Sequence, residues 1–361
     1  MVSRVDPSSV PPPYRVQLDA PGEIAAAIPH LLGFRPEESV VLVSLTGPSG
    51  GRVGLTIRAD IPSPEHAAAL AAALTRSVGT DRPSGVLLAV VSEKGDVRGV
   101  SGADLPHRAL VGELTVALAA ADVPVRDALL VRAARWWSYD CPHPCCRPGA
   151  GTPLPTEVTE LEVASVATGV VVARDRSELA ARIAPVTGRS AADMEVVSRR
   201  VGDWYCRARL TDEAGTARHS WREILRAVGR CRPGPAATVA LADREIARVV
   251  WGLSDVRVRD RALGLALGGD AAAAEILWTE CTRRSPAPLD AAPATLLGVS
   301  AWLRGDGATA NLALDRALGS RPTYTLAQLL SEALAGCLPP EQLRMAIRES
   351  VAELDQTTPT P

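Results

Sequence analysis

Hydrophobic positions fall into short runs and helical stripes by turns over the first half of the chain, and almost entirely into helical stripes over the second. Ser39–Thr46 is nearly continuously apolar, whereas residues 54–61 alternate, with Leu55, Ile57 and Ala59 on one side and Thr56, Arg58 and Asp60 on the other. The first pattern suits a strand buried on both faces and the second a half-exposed strand. Gly47, Pro48, Gly50 and Gly51 between them predict a hairpin. Ser63 and Pro64 form a cap-and-first-turn pair, and Ala67, Leu70, Ala71, Leu74 and Val78 share one face of the helix they would open. Gly85–Val91 then reads as a buried strand, Leu110, Leu114, Ala117 and Leu118 as a helix stripe, and residues 125–131 as another strand. This alternation predicts right-handed crossovers and a parallel core, to which the hairpin adds an antiparallel neighbour. Upstream, residues 15–18 are expected as a short strand, before a helix announced by Asp19 and Pro21 that carries Ile24, Ile28, Leu31 and Leu32 and is ended or kinked at Pro29.

From Pro155 onward strand signals thin out, apart from residues 169–173, and Pro185, Gly188 and Ser190 interrupt the periodic segments. The predicted plan is a disordered tail (1–13), an α/β domain with a mixed, partly parallel sheet flanked by helices (14–187), an all-α domain (188–354) and a second tail (355–361). The helical part contains a weak repeat. Gly269, Asp270, Ala274, Trp278, Cys281 and Pro286 recur as Gly305, Asp306, Ala310, Leu314, Ala317 and Pro322, which resembles the tetratricopeptide order and predicts two helix pairs near 257–336. Two pairs fall short of the roughly three repeats that bury a continuous core unaided.

Composition adds bounds. A chain of 361 residues is long for one core, and 47% hydrophobic with 22% charged residues is ordinary globular usage. A net charge of −2 offers no global attraction to nucleic acid or to an anionic membrane, so both are unexpected partners. No run reaches the roughly 18 apolar residues of a membrane span, and the first residues lack the apolar centre of a signal peptide, so a cytoplasmic location is expected. Seven cysteines in such a chain favour free thiols or metal ligands over a disulfide framework.

Three stretches carry a likeness. Leu32-Gly33-Phe34-Arg35-Pro36 before a Val-rich strand, Arg135-Trp136-Trp137-Ser138-Tyr139 followed by Cys141, Cys145, Cys146 and Gly151-Thr152-Pro153-Leu154, and Ala301-Trp302-Leu303-Arg304-Gly305-Asp306-Gly307 resemble the actinobacterial family called Domain of Unknown Function 4192. The resemblance covers nearly the whole chain and implies a bacterial cytosolic protein. It brings no activity, cofactor or catalytic residue that could be carried over.

Ligands of open α/β sheets bind beyond the carboxyl ends of the parallel strands. Applied here, that rule gathers Arg35, Asp60, Glu93, Arg135, Trp136, Trp137 and Tyr139 along one rim suited to an anionic or planar ligand, with packing by the two tryptophans as the alternative. Cys141, His143, Cys145 and Cys146 offer soft and imidazole ligands for Zn, although the adjacent pair departs from the usual zinc spacings; a redox pair, a Cys141–Cys146 disulfide and inert thiols stay open. Phosphate-loop, dinucleotide, nucleophile-elbow and His-Glu metalloprotease motifs are missing. Arg218, Arg222, Arg226 and Arg230 recur along one helix, after Arg199, Arg200, Arg207 and Arg209; they form either an anion-binding stripe or a solvated face paired with Asp203, Asp212, Glu213 and Glu223. The leading functional expectation is a non-catalytic binding or regulatory module that meets a protein partner through its helical domain. A hydrolase or transferase acting on an anionic small molecule at the sheet rim is the first alternative, and a zinc-binding Cys/His loop the second.

Overall fold

A computed structural model describes residues 20–47, 51–94, 104–155, 171–232 and 241–357. The strand expected at 15–18 and the first tail lie outside that set. The chain forms two compact units, Met1–Asp175 and Arg176–Pro361.

The first unit runs α1 (Pro21–Leu32), β1 (Ser39–Thr46), β2 (Arg52–Asp60), α2 (Ala67–Gly79), β3 (Gly85–Val91), α3 (Arg108–Ala120), β4 (Val125–Arg132), β5 (Arg135–Ser138) and β6 (Thr152–Pro153). Among the described residues its strands form one sheet with the order β2-β1-β3-β4-β5-β6. Only β3 and β4 pair in parallel, while β1 lies antiparallel between β2 and β3. The near-continuous apolar runs of β1 and β3 are explained by burial on both faces. Val40, Leu42, Leu88 and Val90 pack with Leu74 of α2 and Leu114 of α3, while Val41, Val43, Leu87 and Ala89 are buried on the opposite face, where α1 brings Ile28. Pro29 sits inside α1 without ending it; the helix stops at Gly33, which takes the left-handed backbone at φ 76° that glycine adopts without strain.

β5 departs from the sequence reading. Ala133 and Ala134 both adopt positive φ, and the chain reverses so that Trp136 pairs with Val131 and Trp137 with Leu130. The segment expected to hang over the strand end therefore runs back along β4.

The second unit contains α4 (Arg176–Ala181), α5 (Arg189–Thr211), α6 (Glu213–Arg230), α7 (Asp243–Gly252), α8 (Val256–Leu263), α9 (Ala271–Arg284), α10 (Ala291–Leu303), α11 (Gly307–Ser320), α12 (Thr325–Ala335) and α13 (Pro340–Thr357). The expected boundary at 187 moves to Asp175, because Ile183 joins the helical core and Arg176 reaches Asp315 at 3.9 Å. Similarly, α13 continues to Thr357, three residues into the predicted tail. Every residue of α10 is buried, as expected of a helix that is apolar all round. Asp290 before it is fully buried and is held by Arg316 of α11 at 2.7 Å and by the Ser320 hydroxyl. Ala274, Trp278 and Cys281 of α9 and Ala310, Leu314 and Ala317 of α11 are all buried. α5 and α7 pack closely because Gly202 admits the Trp251 ring; a Cβ there would meet the ring at 2.3 Å. The Trp251 indole N–H donates to the Ser198 carbonyl at 2.9 Å. No helix among the described residues is long and apolar enough to cross a membrane.

Candidate functional site

The sheet rim takes the order its strands dictate. Ser39 pairs with both Asp60 and Val91, so the carboxyl ends of β2 and β3 flank the start of β1. β2 and β5, however, stand four strand spacings apart, about 19 Å. Asp60 and Trp136 therefore lie too far apart across the sheet to line one small-molecule pocket. Most of the rim groups also have a partner of their own. Asp60 pairs with Arg58 at 2.6 Å. Glu93 accepts from the Ala133 amide at 2.8 Å, and its carbonyl accepts from Arg132. Arg135 donates to the carbonyls of Ala150 and Gly151. Arg35 is exposed, and its backbone amide donates to the Ala173 carbonyl. Trp136 lies against Gly22 of α1, whereas Trp137 is buried, donates to the Arg147 carbonyl and packs against Gly151. Tyr139 is buried too, and its hydroxyl donates to the Pro106 carbonyl at 2.6 Å.

A rim network absent from the sequence reading joins Glu38, Ser92 and His107. Glu38, at φ 42°, accepts the Ser92 hydroxyl at 2.8 Å and the amides of Glu93 and Lys94 at 3.0 and 3.3 Å. Burial raises the Glu38 pKa, but these donors more than offset it, so the carboxyl sits below its ordinary value. His107 Nε2 lies 3.0 Å from Ser92 Oγ. The serine stands between carboxylate and imidazole, whereas a catalytic triad needs the imidazole in the middle. The arrangement ties the start of β1 to the end of β3.

The cysteine loop follows β5 away from the rim. The Ser138 amide donates to Cys146 Sγ at 3.3 Å, and Ser138 pairs with Leu129, about 10 Å along β4 from its last residue. Cys141, Cys145 and Cys146 converge, with all three sulfurs within 4.8 Å of one another. All are free thiols. His143, the fourth expected ligand, stands outside this group and is exposed. Burial pushes the Cys146 thiol up to about 11, while the His143 backbone amide holds Cys141 below its ordinary value.

The third region is an open trough of ≈ 630 Å³ between α5 and α6, lined by Trp204, Arg207, Arg218, His219 and Arg222 among others. Asp212 ends α5 and caps α6 by accepting from the Gly215 amide, which brings the two helices side by side. The arginine stripe divides at this point. Arg226 pairs with Glu223, Arg230 with Glu245, Arg199 with Glu195 and Arg209 with Glu213. Arg207, Arg218 and Arg222 are exposed and form no ion pair among the described residues. Trp204, 43% exposed, meets His219 edge-on at 5.2 Å. Trp204 and His219 were missed from sequence; the signal was their placement one helix face either side of the Asp212 cap.

The architecture defines a two-unit protein, a mixed α/β sheet unit and an all-helical unit. The chain belongs to the family described as Domain of unknown function (DUF4192), whose model matches residues 21–341. No curated protein and no solved structure matches it.

Proposed function

We propose that the protein is a non-catalytic, cytoplasmic binding protein, and that the α5–α6 trough is its recognition surface for an acidic segment of a protein partner. The observation that carries this reading is the set of three arginines without acidic partners beside a half-exposed tryptophan. Trp and Arg are the side chains that dominate interface energetics, and an unpaired guanidinium needs no internal ion pair to be broken before it meets a carboxylate. The repeat-bearing helix pairs, which we read as tetratricopeptide-like, serve as scaffold in this scheme, since α10 between them is already covered on every side by the chain's own helices. The rim supports an enzyme poorly, because Asp60 is spent on Arg58, and Glu93 and Arg135 on backbone groups.

The test is site-directed photocrosslinking from position 208, on the trough wall, with the full chain expressed in its own host. Crosslinks to an acidic segment are expected, and they should vanish in the Arg218→Glu/Arg222→Glu variant while its thermal melting is unchanged. Crosslinks indifferent to charge reversal, or retention on single-stranded DNA with a steep salt dependence, would overturn the reading.

A further inference from the structure

The loop after β5 carries a feature that the trough does not use. Cys141 Sγ and Cys145 Sγ lie 3.9 Å apart, as do Cys145 Sγ and Cys146 Sγ. A zinc ion bound to thiolates at about 2.3 Å in tetrahedral geometry holds its sulfurs about 3.8 Å from one another. Two of the three sulfur pairs therefore already have the spacing of ligands to one ion, and all three sulfurs lie within 4.8 Å of one another.

The loop is also held in place. Pro142, Pro144 and Pro148 restrict its backbone. The Gly151 amide donates to the Cys145 carbonyl at 2.9 Å, and the Trp137 indole N–H to the Arg147 carbonyl at 3.2 Å. Gly151 at φ 72° lets the Trp137 ring approach so closely that a Cβ would stand 2.4 Å from it. The Ser138 amide aimed at Cys146 Sγ supplies the N–H···S hydrogen bond that stabilises a metal thiolate, and the Ser138 hydroxyl is oriented by Asp127 at 3.0 Å. Ligands on a rigid loop lose little entropy when a metal binds.

We propose that Cys141, Cys145 and Cys146 form a three-thiolate site for a zinc ion. Binding replaces three S–H protons by one Zn²⁺, releases those protons to solvent and leaves the sulfur oxidation state unchanged. Three soft anionic donors select zinc over magnesium or calcium. Cys145 is exposed, so the site opens to solvent on one side, where water or an outside donor completes four-coordination. The ion would pin the loop to the β4–β5 edge.

The experiment uses the full chain, purified without an affinity tag and under reducing conditions. About one equivalent of zinc per chain is expected on elemental analysis. Titrating the metal-free chain with Co²⁺ should give thiolate-to-cobalt charge-transfer bands and the visible bands of tetrahedral cobalt. Cys145→Ser changes an exposed side chain, and its fold is checked by circular dichroism. That variant should lose at least about tenfold in metal affinity, whereas Cys337→Ser should retain it. The proposal is overturned by less than about a tenth of an equivalent of zinc together with absent cobalt bands, by the mass of a Cys141–Cys145 or Cys141–Cys146 disulfide in the reduced preparation, by an iron–sulfur chromophore, or by undiminished affinity in Cys145→Ser.

Discussion

The sheet rim and the α5–α6 trough are both rich in arginine, yet they treat their charges in opposite ways. At the rim, Arg58 is spent on Asp60, Arg132 on the Glu93 carbonyl and Arg135 on two loop carbonyls. In the trough, Arg207, Arg218 and Arg222 stand in solvent with no acidic partner among the described residues. Charge that is spent internally holds a fold together; charge left over is available to something else. The difference also separates mutational outcomes, since rim substitutions should cost stability and trough substitutions should cost binding.

The sharpest test of that division is Trp204→Ala. If the trough is an interface centred on this ring, truncation should weaken partner binding by about 2 kcal/mol, roughly 30-fold in Kd, with little change in thermal stability. Binding measured by calorimetry against the crosslinked segment decides it. A loss of melting temperature with unchanged affinity would assign Trp204 to packing.

Behind the trough, Gly202→Ala should act on the fold alone. The new methyl would meet the Trp251 ring, whose displacement would break its bond to the Ser198 carbonyl. A destabilisation of about 2 kcal/mol in urea unfolding is expected. A neutral result would mean that α5 and α7 can separate, and that the trough lacks the rigid wall assumed for it.

A paired comparison follows at smaller scale. Arg135→Ala should cost about 1 kcal/mol, because two carbonyls of the cysteine loop lose a charged donor. Arg222→Ala should fall within about 0.5 kcal/mol of the parent, as surface changes without partners usually do. If the two variants melt alike, the contrast between spent and unspent charge fails.

How much of this could be read without coordinates depends on the kind of signal. β2 and the helices were legible from their periods, as in the alternation of Leu55, Ile57 and Ala59, and β1 and β3 from short apolar runs bounded by turn residues. β5 was not, because its turn is Ala133-Ala134, with positive φ at both, where such turns ordinarily show Asn-Gly or Asp-Gly. Missing that turn put Trp137 and Tyr139 at the rim. The convergence of three cysteines was legible from their closeness in sequence; the exclusion of His143 was not, since residues two apart diverge according to local backbone angles. The free arginines were invisible for a different reason. Arg230 finds Glu245 across fifteen positions on another helix while Arg222 finds no acidic partner among the described residues, and no spacing rule on one helix distinguishes them.

A last prediction probes the rim through pH. The Glu38 carboxyl is held below its ordinary value by the Ser92 hydroxyl and two backbone amides acting against burial. A carboxyl whose folded pKa is depressed binds its proton less tightly in the native state than in the unfolded chain. Its contribution is therefore complete above the unfolded value, about 4.3, and is lost as pH falls through the lower folded value. Because the group is only partly buried, screening keeps that contribution under about 1 kcal/mol. Glu38→Gln removes the charge but keeps an acceptor for Ser92. The stability gap between parent and variant should be steady near neutrality and close progressively below about pH 4. Urea unfolding across that range measures it. A gap that stays constant into acid would mean that the ionised carboxylate contributes nothing to joining β1 and β3, and that the rim is held by its backbone ladder alone.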